Sequence, residues 1–114
     1  KDPSEKTPET PKPVVKVKPA KVTGVKAKNS SRKAATVSWK KAKNASGYVV
    51  YRSTSKKSGF KAVKTVKSAK TLSYKNTKLT KKKTYYYKVR AYKTYGKSKT
   101  YGSYSSVVSV KIKK

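Results

Sequence analysis

Beyond Pro19 the chain breaks into short runs in which apolar and polar residues alternate, each bounded by small or polar residues. A period of two is the signature of strands that bury one face. Val22, Val25 and Ala27 predict a first strand over 21–28, and Ala35, Val37 and Trp39 a second over 34–40. Tyr48 and Val50 alternate with Val49 and Tyr51 in a third, entered through Ser46-Gly47 and left through the turn formers of 53–59. Residues 60–66 predict a fourth strand, 71–74 a short fifth, and 107–112 a last. The sixth, from Thr84 to Tyr92, is the most regular. Seven short strands without helical periodicity predict an all-β, antiparallel sandwich over 20–114.

Alternation also assigns faces. If Tyr85, Tyr87, Val89 and Ala91 point into the core, then Tyr86, Lys88, Arg90 and Tyr92 point outward from the same strand. After that strand comes a six-residue echo, Lys93-Thr94-Tyr95-Gly96 and Lys99-Thr100-Tyr101-Gly102. It predicts a β-hairpin extension with Gly96 and Lys97 near its tip, presenting Tyr95, Lys97, Lys99, Tyr101 and the following Tyr104. The start of the chain is different. All five prolines fall within residues 1–19, among Thr, Ser and Lys, which predicts a disordered, extended linker able to hold a domain on the order of 50 Å from a neighbour.

Charge then removes most of the chemistry a domain of this size could perform. Net charge is +30, with 33 lysines and arginines against three acids. Those acids, Asp2, Glu5 and Glu9, all precede the strands, and the chain has no histidine and no cysteine. A body without such groups offers no general acid or base that titrates near neutral pH and no side-chain ligand set for zinc, calcium or magnesium. We therefore expect no catalysis, no metal and no cofactor. A serine–lysine pair is the one dyad that needs no carboxylate, but its lysine must be buried to lose its proton, and the strand lysines here fall at outward or loop positions. Arginine occurs only at Arg32, Arg52 and Arg90. Lysine is a flexible point charge suited to diffuse polyanions, whereas base reading favours arginine's planar fork, so binding without sequence selection is expected. Asn29-Ser30-Ser31 and Asn44-Ala45-Ser46 match a glycosylation acceptor pattern, but both read as turns. No apolar run approaches the roughly 18 residues of a membrane span. The absence of methionine suggests a piece of a longer protein.

Trp39, Gly47-Tyr48-Val49-Val50-Tyr51-Arg52, Leu79 with Tyr85 six positions later, and Tyr85-x-Tyr87-x-Val89-x-Ala91 together resemble a fibronectin type III domain of the kind strung along bacterial secreted and cell-surface proteins. The resemblance implies an immunoglobulin-like sandwich, a non-catalytic spacer or binding module, and neighbouring domains in the same parent chain. It also implies a tyrosine corner, in which the Tyr85 hydroxyl bonds to backbone near Leu79. The connection Thr80 to Lys83 departs from the family's usual Pro-Gly turn, and the Arg-Gly-Asp adhesion tripeptide of some members is absent. Because the third strand pairs with the sixth in this family, Tyr51 would join Tyr86 on the outer face. Aromatics interleaved with cations there could stack sugars or bases, or could simply brace the sheet.

The sequence thus leads to an accessory module, extracellular or cell-wall associated and monomeric. It would be held on teichoic acid, an acidic glycan or nucleic acid by lysines that include the basic turn Lys81, Lys82 and Lys83. A passive spacer, and a carbohydrate-binding module built on the exposed tyrosines, are the alternatives.

Overall fold

In the computed structural model, residues 18–114 are described, so the proline-rich linker lies outside them apart from Lys18 and Pro19. β1 (Lys26–Ser31), β2 (Ala34–Ser38) and β5 (Ser73–Asn76) form one antiparallel sheet with β2 in the centre. The other sheet holds β3 (Gly47–Ser53), β4 (Lys61–Val66), β6 (Thr84–Tyr95), β7 (Ser98–Tyr101) and β8 (Val108–Lys111). Its order is β4-β3-β6-β7, and β8 pairs with the opening residues of β6. Every pairing is antiparallel.

The core forms where the inward positions of the two sheets meet. Ala35 and Val37 of β2, Tyr48 and Val50 of β3, and Tyr87, Val89 and Ala91 of β6 are buried together with Val22, Trp39, Leu79 and Ile112. Trp39 follows β2 directly, its amide donates to Leu72 O at 3.0 Å, and its ring packs 5.5 Å from that of Tyr48. The Tyr48 hydroxyl accepts from Ala42 N and donates to Ala69 O. Trp39 Nε1 is a buried side-chain donor left without a partner.

Eight strands stand where the periodicity predicts seven, because the returning arm of the predicted hairpin forms a strand of its own, β7. Between β7 and β8 the backbone stays beside β6, with Gly102 N donating to Ala91 O and Ser105 N to Val89 O. At Ser105, however, the side-chain oxygen accepts the Val89 N–H at 2.9 Å. A hydroxyl thus takes the acceptor place of a backbone carbonyl, and the regular ladder stops there. The start of the domain differs as well. Gly24 adopts φ +65°, so the buried Val22 precedes the ladder and β1 begins only at Lys26. β5 runs two residues later than predicted, which brings Asn76 opposite Ala35 on the inner face.

Asn29 is no turn residue. It lies in β1, where its Nδ2 donates to Ser31 O and Ala34 O while its Oδ1 accepts from Lys113 N and Lys114 N. Asn44 does occupy a turn, at φ +63°.

Candidate functional site

β3 and β6 pair in a register that sets Tyr51 opposite Lys88 and Val49 opposite Arg90. Side chains of paired residues share a face, so Tyr51, Lys88 and Arg90 meet on the outside of the larger sheet, as the alternation predicts. Arg90 Nε donates to Tyr51 Oη at 3.0 Å, and the guanidinium carbon lies 4.0 Å from the centroid of Tyr101, 4.6 Å from Tyr104 and 5.4 Å from Tyr51. Lys88 Nζ is 3.8 Å from the Tyr104 ring and 4.5 Å from Phe60. Tyr51 and Tyr104 meet edge to face at 5.2 Å. Two cations are therefore held among four aromatic rings, a contact worth about 0.5–2 kcal/mol each depending on desolvation. Burial pushes the Tyr51 phenol above its usual pKa, outweighing the opposite pull of Arg90.

The hairpin residues divide between this cluster and other places. Tyr101 and Tyr104 join it, whereas Tyr95, half-buried, and Lys97, exposed, sit at the hairpin end, where Gly96 takes φ +59°. Tyr86 keeps its outward parity opposite Ser53 and Ser109. Tyr92 corrects the expectation of a solvent-facing ring, for it is only 4 % exposed. Its partner in register is Gly47. With no side chain there, the Tyr92 ring lies over the Gly47 backbone, so a Cβ at 47 would fall 2.6 Å from the Tyr92 hydroxyl oxygen. Lys99 Nζ at 4.8 Å and the Tyr101 ring at 6.3 Å cover Tyr92 from outside. Phe60 is the cluster member that sequence reasoning missed. It lies just before β4, and its only signal was that it is the chain's single phenylalanine.

At the other end of β6 the corner is closed. Thr80 N donates to Tyr85 Oη at 2.8 Å, with Leu79 and Tyr85 both buried. Burial pushes the Tyr85 phenol up, but the hydrogen bond from Thr80 and the charges of Lys83 and Arg52 outweigh it and hold the pKa below the usual tyrosine value. Beside the corner is a polar group that sequence reasoning also missed. Asn76 Oδ1 accepts from Tyr87 Oη at 2.7 Å and from Arg52 Nη1 at 3.0 Å. Burial pushes the Tyr87 phenol far above its ordinary pKa despite Arg52. Lys81, Lys82 and Lys83, all exposed, cap this end of the sandwich.

No cluster of metal-ligating side chains occurs among the described residues. A model of the fibronectin type III domain matches residues 20–108. The chain belongs to the fibronectin type III family. Such domains are commonly modules of multidomain proteins and are generally non-catalytic. An Fn3-like protein from Clostridium thermocellum is 26 % identical, with a TM-score of 0.61 over 82 % of this chain and 92 % of that one. The FN1–FN3 fragment of chicken CNTN1, also 26 % identical, superposes with a TM-score of 0.67 over 82 % of this chain and 30 % of that longer one. The sixth type III domain of human fibronectin type III domain containing protein 3 shares the fold at 19 % identity, with a TM-score of 0.67 over 86 % and 90 % of the two chains. No curated protein matches. Among the described residues of this type III domain, no helix is long and apolar enough to cross a membrane.

Proposed function

We propose that this type III domain is a non-catalytic attachment module of an exported multidomain protein, retained on anionic polymers of a cell wall or extracellular matrix. The observation that carries this reading is the absence of any acidic side chain after Glu9. No lysine of the described body can meet a carboxylate side chain within the fold, so its natural counter-charge is external. The arginines support binding without base selection. Arg90 is stacked on tyrosines and Arg52 is bonded to Asn76, which leaves Arg32 as the one exposed arginine. Lysine contacts with a polyanion act chiefly by releasing counterions and read no sequence.

Titration at low salt against teichoic acid, heparin, mixed-sequence DNA and a neutral glycan tests the reading. Affinities of similar strength for the three polyanions, with none for the neutral glycan, are expected. No binding to any polyanion would leave the passive spacer in possession. Binding to the neutral glycan that is lost on Tyr51→Ala with Tyr86→Ala would instead favour a carbohydrate-binding face.

A further inference from the structure

The lysines are unevenly available. On the larger sheet, Lys88 and Lys99 are stacked on the chain's own rings, as is Arg90. On the smaller sheet, register puts Lys28 level with Thr36 and Lys75, two strands apart, so three outward lysines, including Lys26, share a broad face. At the end where β6 begins, three separate segments are drawn together. Leu79 N donates to Lys33 O and Lys33 N to Lys114 O, joining the β1–β2 turn to the β5–β6 connection and to the end of the chain. Lys82 N donates to Ile112 O and Ile112 N to Lys83 O, which ties the connection to the residues after β8. Arg32 and Lys33, Lys81 to Lys83, and Lys111, Lys113 and Lys114 are thereby collected on one cap, all exposed.

The backbone of this cap is unusual for the residues it holds. Lys33, Lys78 and Lys82 have φ of 53°, 58° and 72°, the left-handed region that glycine or asparagine occupies with least strain. Lysine stands at all three positions where an uncharged residue would relax the turn. The entering chain is also out of the way. Ala20 N bonds to Lys43 O, and Pro19 lies against Gly102 beside Ala91, so along β6 the cap is about 25 Å from that entry at roughly 3.3 Å per residue.

Resting on the polyanion reading above, we infer that this cap is the binding site, and that its ligand is a flexible phosphate polymer. The exposed side chains of the connection are lysines and threonines, with Leu79 and Tyr85 buried beneath them. Nothing in the connection can stack a base or a sugar ring, so recognition rests on charge density, and lysine ammonium groups meet phosphate as point charges.

The probe is medium-chain inorganic polyphosphate, titrated into the full chain at about 100 mM salt. Amide resonances of Lys33, Lys81 to Lys83 and the residues after β8 shift first. Lys81→Gln with Lys82→Gln and Lys83→Gln weakens binding by more than about tenfold, as expected for a salt slope of about 0.7 per lost contact. Lys26→Gln with Lys28→Gln and Lys75→Gln removes the same charge and changes affinity by less than about twofold. Equal losses in the two variants, or shifts scattered over both sheets, overturn the cap as the site and leave polyanion retention standing. Binding of heparin or DNA but not polyphosphate overturns the ligand class. Failure of the wild type to bind any polyanion removes both proposals. Should the cap variant fold poorly, the resonance map on the wild-type chain decides alone.

Discussion

At Tyr85 a hydroxyl can be removed without disturbing the ring that carries it. The oxygen accepts the Thr80 N–H, and a net hydrogen bond of this kind contributes about 0.5–1.5 kcal/mol. Tyr85→Phe is expected to lower the unfolding free energy by that amount, read as a lower denaturant midpoint, with Tyr86→Phe close to neutral. Equal effects would contradict the inward and outward assignment. Tyr87 gives a pH-dependent counterpart. Its folded pKa is raised by burial, so the protonated phenol's contribution is fully present below the unfolded value of about 10 and is lost as pH rises above it. The wild type's stability margin over Tyr87→Phe should therefore shrink above about pH 10. The lysines lose charge in the same range, but they do so in both proteins and cancel in the difference. A margin constant with pH would show that Tyr87 ionises as readily folded as unfolded. Much of this residue-scale detail was hidden from sequence. Asn29 reads as a turn former and Asn76 gave no signal, yet their partners lie at Lys113 and Lys114 and at Arg52 and Tyr87, distances in sequence over which no period exists.

Among elements, β6 was the most legible because its period of two runs unbroken from Thr84 to Ala91. Parity fixed which side each residue faces but not what covers it. Tyr92 faces outward as expected and is buried because Gly47 opposite leaves room for its ring. Residues 102–107 were harder still, since a serine hydroxyl stands in for a carbonyl there and periodicity does not register such an exchange. Packing on the outer face of β6 leads to a further prediction. Arg90 stacks among three rings and donates through Nε to Tyr51. Arg90→Lys keeps the charge but loses the planar fork, and a loss of about 1 kcal/mol in chemical denaturation is expected. Lys97→Ala, at the hairpin tip, should be neutral. If Arg90→Lys is neutral too, the stacked cluster does not brace the sheet.

Over the whole molecule, like charges crowd a small sandwich that has no acidic side chain of its own after Glu9. Self-repulsion destabilises such a fold, and salt with a Debye length of about 10 Å at 0.1 M screens it. The melting temperature should therefore rise between about 20 and 300 mM NaCl. An unchanged or falling value would mean the lysines are too widely spread to matter. The overall charge was plain from composition, as was the sandwich from periodicity. The cap was not, because it is assembled by backbone hydrogen bonds among residues near 33, 82 and 112.

The slope of log affinity against log salt for the wild-type chain binding mixed-sequence DNA most directly tests the central claim that the uncompensated lysines act on external polyanions. Each neutralised phosphate contributes about −0.9. Several lysine contacts predict a slope of about −3 or steeper, unchanged when the DNA sequence is scrambled. A slope near zero, or binding that survives high salt, would contradict the account.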